Sequence, residues 1–175
     1  MLENLYQFSR SRLSWLLLLL TIVAFELCAL FFQHVMLLAP CVMCIYERVA
    51  MMGIIAAAGI GLCQPSNPVF RSIGLIGWIA ASAKGLQLAL EHVGYQLHPS
   101  PFNTCDIFVQ FPSWAPLDQW VPWMFHPTGV CSEIVWSFLN LSMPQWLVII
   151  FSASLVVASL FTLLQLKGLQ KPTAG

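Results

Sequence analysis

Pro40-Cys41-Val42-Met43-Cys44-Ile45-Tyr46-Glu47-Arg48 puts two cysteines at the mouth of a hydrophobic span, with a charged couple just inside it. Cys-x-x-Cys beside a βαβ pattern reads as thioredoxin-like. No βαβ pattern flanks this pair. An apolar run follows Arg48 instead, so the dithiol stands at the edge of a membrane and not at the tip of a soluble sheet. The stretch decides for an all-α membrane protein.

Composition agrees. The 175 residues are 59% hydrophobic and 8% charged, where soluble domains carry about 25% charged residues. Lys+Arg and Asp+Glu are both 7, so no nucleic-acid partner is indicated. About 20 apolar residues cross a bilayer. Four runs qualify: about 13–32, 45–62, 73–90 and 146–166. They predict a single membrane domain over 1–175, a four-helix bundle with outer loops at 33–44 and 91–143. Arg10 and Arg12 precede the first run, which is longer than a signal-peptide core and lacks a cleavage pattern; it reads as an uncleaved anchor. Pro144 suits a helix start.

The basic residues orient the bundle. Arg10, Arg12, Arg71, Lys167 and Lys171 lie near the termini and the Pro65–Phe70 turn, while Gln33 to Cys44 and Glu91 to Met143 hold no Lys or Arg. By the positive-inside rule both termini are expected in the cytoplasm and both loops outside. Glu26 and Lys84 fall within spans, where ionisable groups need partners. They are expected to pair with each other, or both to join a network with Glu47 and Arg48.

In the long loop, Pro99-Ser100-Pro101 is expected to stiffen the approach to Cys105. Phe111 to Phe125, with Trp114, Trp120 and Trp123, reads either as a segment lying flat at the headgroups or as a surface loop with aromatic anchors. Thr128-Gly129 reads as a flexible approach to Cys131.

Cys41, Cys44, Cys105 and Cys131 share the outer face; Cys28 and Cys63 stand apart. In an oxidising compartment Cys41–Cys44 and Cys105–Cys131 suggest themselves as pairs. A structural bridge is one reading, since closing the longer loop stabilises by roughly 3–4 kcal/mol. It explains Cys41–Cys44 badly, because so small a ring removes little chain entropy. A thiolate metal centre is another reading, but only one pair is close and no His stands in ligand spacing with it, so no metal is expected. Thiol–disulfide exchange is the third. Cys44 would sit in the first turn of the second span, beside the positive end of the helix, with Arg48 one turn on. Alone, Arg48 reads equally as a snorkelling anchor, and His92 as a satisfied interfacial histidine.

With these residues assembled, the chain resembles the disulfide bond formation protein B family, DsbB. The resemblance covers nearly the whole chain. It is carried by Gln33 to Leu38, Pro40 to Arg48, Pro99 to Asp106, Phe111 to Trp114, Pro116 to Asp118 and Met143 to Trp146. Lys84 stands where that family often has Arg. The resemblance implies a quinone-linked thiol oxidase of the bacterial inner membrane, with its cysteines on the periplasmic side. A DsbA-like thioredoxin-fold oxidase would attack Cys105–Cys131 and be held on Cys105. Cys131 would then attack Cys41, releasing Cys44 towards ubiquinone or menaquinone, with Arg48 and His92 beside the quinone. A DsbA-type oxidant sits near about −120 mV, so the acceptor must have a higher effective potential. Two other functions stay open: a quinone-coupled enzyme for another thioredoxin-fold partner, as in the vitamin K epoxide reductase type, and a non-enzymatic membrane scaffold with two structural disulfides.

Overall fold

In a computed structural model of the chain, residues 2–99 and 105–169 are described, with the backbone alone for Leu2 and for 167–169. A short helix, α1 (Leu2–Ser9), precedes the first long one. The first three long helices each begin where a small side chain accepts a backbone N–H that the helix leaves unpaired. Ser11 caps α2 (Arg12–His34), its Oγ accepting from Ser14 N at 3.3 Å. Cys41 caps α3 (Val42–Cys63), its sulfur accepting from Cys44 N at 3.3 Å. Asn67 caps α4 (Pro68–Leu97), accepting from Val69 N at 2.9 Å, and Pro68 presets the first turn. Two four-residue helices follow, α5 (Leu117–Trp120) and α6 (Pro122–Phe125). A hairpin of β1 (Ser137–Phe138) and β2 (Leu141–Ser142) leads into α7 (Met143–Leu169).

The helices α2, α3, α4 and α7 are long and apolar enough to cross a membrane, and they form the bundle. They outrun the apolar stretches that announce them. α4 continues past Leu90 to Leu97, so Glu91 and His92 are helical and the long loop starts later than 91. The extension survives because His92 is buried and partnered within the protein.

α3 packs between α2 and α4, and α7 packs on α4; α2 and α7 meet only loosely. The core gathers Trp15, Ile54, Trp78, Phe151 and Phe161. Trp78 lies edge-on to Trp15 and Phe161, with centroids 6.2 and 5.9 Å away. A side chain at Gly85 would collide with the Phe151 ring, so the missing Cβ lets α7 close on α4. Trp78 Nε1 donates to Ser154 Oγ at 2.8 Å, and Ser82 Oγ lies 2.9 Å from the same oxygen. These buried polar groups are thus satisfied without water. Leu13, Leu20, Leu27, Ile76 and Val156 point outwards. In a bilayer that apolar surface is the solvated face.

The expected Glu26–Lys84 partnership does not form. Glu26 is buried with its Oε2 3.5 Å from Arg48 Nε. Lys84 lies on the exposed face of α4 and donates to Gln87 Oε1 at 3.2 Å. A flexible ammonium can reach outwards along its own helix, whereas a buried carboxylate depends on what the next helix presents.

The aromatic segment is tied to the bundle. Trp114, Trp120 and Trp123 are exposed, while Met124 and Phe125 bury against Ile45. Phe111 bridges Tyr46 and Phe125 at centroid distances of 6.2 and 6.1 Å. One side is held by the protein and the other presents tryptophans, as a segment at headgroup level requires. Thr128-Gly129 is clamped and not flexible. Both amides donate to Pro40 O, at 2.8 and 2.9 Å. A Cβ on Gly129 would strike the Ala39 carbonyl, so glycine is needed here for close approach. The stiffening expected of Pro99-Ser100-Pro101 falls mostly outside the described residues. Leu139 and Asn140, with φ of 51° and 62°, make the tight hairpin turn.

Candidate active site

The N-terminus of α3 builds the centre. Cys41 is the cap and Cys44 the third residue of the first turn, so one helical turn brings the sulfurs to 2.9 Å. Cys41 is buried and Cys44 half-buried. Across from them α4 delivers His92, with Nε2 3.4 Å from Cys41 Sγ. The other ring nitrogen, Nδ1, lies 3.0 Å from Glu47 Oε1. Glu47 and His92 are only 2% and 3% exposed, so neither reaches bulk water. A thiol, an imidazole and a carboxylate in this order can take a proton from sulfur and hold it.

Cys105 and Cys131 form a disulfide, with their Cα atoms 6.1 Å apart. Cys131 is buried in one apolar cluster with Cys41 and Met43, and Cys44, Tyr95 and Cys105 pack against that cluster. The fold thus gathers all four expected cysteines. The Cys131 main chain also reaches the His92 ring. The Pro40 carbonyl, one residue before Cys41, holds the amides of Thr128 and Gly129 just ahead of Cys131. Cys63 lies at the far end of α3 and takes no part.

The loose seam between α2 and α7 holds a cavity of about 510 Å³. Phe25, Ala29 and Phe32 of α2 form one wall, Leu147 and Ile150 of α7 another, and Trp136 and Phe138 of the hairpin close the end. Cys44, Glu47 and Arg48 form its floor, and Cys28 faces the same space. The volume lies within the range of small-molecule sites, roughly 300–1,000 Å³. The wall is mostly apolar; among the described residues its charged members are Glu26, Glu47 and Arg48, and Gln33 adds an amide.

Arg48 is paired and not a snorkelling anchor. One terminal nitrogen donates to Gln33 Oε1 at 2.7 Å and to the Met124 carbonyl at 2.6 Å. Its Nε lies 3.5 Å from Glu26 Oε2, and neither atom has a hydrogen-bond partner among the described residues. Glu47 Oε2 is likewise unpartnered. Among the described residues, His92 does not line this cavity; it faces Cys41.

Gln33, Glu47, the Met124 carbonyl and the aromatic hairpin escaped the sequence reading as parts of the site. The sequence places Glu47 beside Arg48 and offers it to a network with Glu26 and Lys84, but not to His92. Its helix turns it towards His92, a residue 45 positions away. For Trp136, Phe138 and Trp146 the sequence offers only their aromatic spacing. Trp146 Nε1 donates to Phe138 O at 3.1 Å, which pins the hairpin over the cavity.

A buried dithiol in contact with a loop disulfide, at the floor of an apolar cavity in a membrane bundle, defines a membrane thiol–disulfide oxidoreductase. The family described as disulfide bond formation protein DsbB matches the chain over residues 11–161. The chain is 65% identical over 162 residues to disulfide bond formation protein B of Vibrio alginolyticus, covering 93% of this chain and 98% of that protein. Its counterparts in Vibrio parahaemolyticus and Vibrio cholerae are 66% and 62% identical, with at least 92% of each chain covered. The chain belongs to the DsbB family and is a multi-pass membrane protein of bacterial disulfide bond formation.

Proposed function

We propose that the protein reoxidises a periplasmic, DsbA-like dithiol oxidase and passes the electrons to a membrane quinone, either ubiquinone or menaquinone. The observation that carries this reading is the position of Cys44. It lies on the floor of a cavity in the bundle's loose seam, while Cys41, bonded to the same turn, packs with Cys131. One dithiol therefore touches both a lipid-side space and the loop disulfide.

The exchange balances as follows. A thiolate of the partner attacks Cys105, and Cys131 leaves. Cys131 attacks Cys41 of the closed Cys41–Cys44 bridge, and Cys44 leaves onto the cavity floor. The partner's second thiol resolves the mixed disulfide and frees Cys105. Cys105 then attacks Cys131, restoring the loop bridge and freeing Cys41. The Cys41–Cys44 dithiol must next lose two electrons and two protons to close again. A quinone supplies, when bound, the two-electron acceptor for that step. The residues fit such a group: the apolar walls suit its ring and tail, and the guanidinium of Arg48, which lines the cavity, suits a carbonyl oxygen. His92 Nε2 can take the Cys41 proton. Glu47 orients that ring with one oxygen and sits on the cavity floor, which links the thiol to the same space.

Purified, reduced DsbA-type oxidase should be reoxidised by catalytic amounts of this protein when quinone is added, and hardly at all without it. Equal rates in both arms would remove the acceptor from the mechanism. The absence of Lys and Arg from both cysteine-bearing loops supports a periplasmic face for them. A membrane-impermeant thiol reagent applied to reduced spheroplasts should then label outer cysteines and leave Cys63 unlabelled. Labelling of Cys63 from outside would reverse the topology.

A further inference from the structure

Cys41 Sγ, Cys44 Sγ and a ring nitrogen of His92 lie within 4.8 Å of one another. His92 turns Nε2 towards the sulfurs because its Nδ1 is engaged by Glu47 Oε1 at 3.0 Å. A carboxylate on the far nitrogen of a histidine, fixing tautomer and direction, is the usual support of a metal-ligating imidazole. Two thiolates and an imidazole form a donor set for a soft or borderline cation, and the open side of Cys44 towards the cavity leaves a fourth position. The sequence spacing hides this set, since His92 is 51 residues from Cys41.

We propose that the reduced Cys41–Cys44 dithiol, together with His92, is a binding site for a thiophilic divalent cation such as Zn²⁺ or Cd²⁺, and that the bound ion holds the protein in its reduced state. Binding displaces one proton from each thiol and moves no electrons. His92 contributes its Nε2 lone pair and keeps Nδ1–H on Glu47. The sulfurs stand 2.9 Å apart. Metal–sulfur bonds of about 2.3 Å at a tetrahedral angle need them about 3.8 Å apart. A rotation of the less buried Cys44 side chain supplies that opening. The bridged form offers no thiolates and cannot bind. The ion therefore opposes closure of the pair, which alone distinguishes this site from a structural centre that would be filled in either redox state. The claim concerns the dithiol itself and stands whichever electron acceptor serves it.

The test uses the full-length chain in detergent with Cys28, Cys63, Cys105 and Cys131 changed to Ser, reduced and freed of reductant without air. Titration with Cd²⁺ should saturate at one ion per chain, with thiolate-to-metal charge-transfer absorption, two protons released per ion and both thiols shielded from alkylation. His92→Ala should weaken binding by more than tenfold, and Glu47→Gln by roughly 10–100-fold. X-ray absorption should count two sulfurs and one nitrogen around the ion. In a redox titration, Cd²⁺ at about 100 times its Kd should raise the midpoint of the pair by about 59 mV, the hundredfold preference for the reduced form at 29.6 mV per decade. Unchanged affinity in His92→Ala, equal binding by a further Cys41→Ser variant, or a shell without nitrogen would overturn the site. The ligand count is repeated on the reduced unsubstituted chain, so a substitution that costs the fold does not leave the question open.

Discussion

The two cysteine pairs hold the same functional group in opposite ways. Cys41 and Cys44 are brought together by one helical turn, with no chain to close, and their surroundings are supplied by α4 and α2. Cys105 and Cys131 are separated by 26 residues and joined by a bond that closes a long loop. The first pair gains almost no chain entropy from bonding, so nothing structural resists its opening and closing. The second gains more, and it packs directly against the first pair. A pair poised by a helix suits repeated exchange with a small acceptor. A loop-borne pair suits capture of a protein.

Removing the link between them should have the largest effect. Cys131→Ser leaves Cys105 as a free thiol that can hold the partner only when a disulfide is supplied, as with an oxidised partner variant lacking its resolving cysteine, and it supplies no thiol to attack Cys41. Acceptor reduction should fall to the uncatalysed background, while the variant mixed with that oxidised partner should accumulate the mixed disulfide on non-reducing gels. A wild-type rate would show that the partner reaches Cys41 without the loop pair.

Arg48→Leu should separate the pairs in the other direction. Capture on Cys105 should survive, while acceptor use falls roughly 100-fold, the scale of losing one preorganised donor. Arg48→Lys should retain part of it. The Leu variant also strands buried Glu26, which costs about 3–5 kcal/mol. Glu26→Leu added to Arg48→Leu should therefore recover thermal stability without recovering acceptor use. Recovery of both would make Arg48 merely structural.

Gly129→Ala tests the clamp at Pro40. The added Cβ meets the Ala39 carbonyl, so the two hydrogen bonds to Pro40 O must lengthen. A loss of about 1–3 kcal/mol is expected from overpacking. In stopped-flow single turnovers, transfer from Cys131 to Cys41 should slow more than partner capture. Equal slowing of both steps would show that the clamp does not set the approach of the two pairs.

Lys84→Ala should do least. Lys84 is exposed and, among the described residues, bonded along its own helix, so stability should change by no more than about 0.5 kcal/mol and turnover not at all. A large loss would restore the role first expected of Lys84 and take it from Arg48.

What the sequence made legible was local. The spans show in runs of leucine and isoleucine, the dithiol in its spacing, and the amphipathic segment in its tryptophans. The missed parts are contacts across the chain. Arg48 meets a carbonyl 76 residues away, and His92 meets Cys41 across 51. Glu26 and Lys84 both fall within spans, but a place within a span does not tell which way a side chain faces. The glycine before Cys131 looked flexible because composition cannot show a carbonyl waiting on another segment.

The sulfur of Cys41 also caps α3, accepting the Cys44 amide at 3.3 Å. Capping is worth about 0.5–2 kcal/mol for oxygen acceptors, and sulfur accepts more weakly. A bond from Cys41 to Cys44 keeps that sulfur at the helix end. A bond from Cys41 to Cys131 draws it towards the loop and leaves the amide uncovered. On the proposed exchange, each round would loosen and rewind the first turn of a membrane helix, and deuterium uptake at the Cys44 amide should keep time with it.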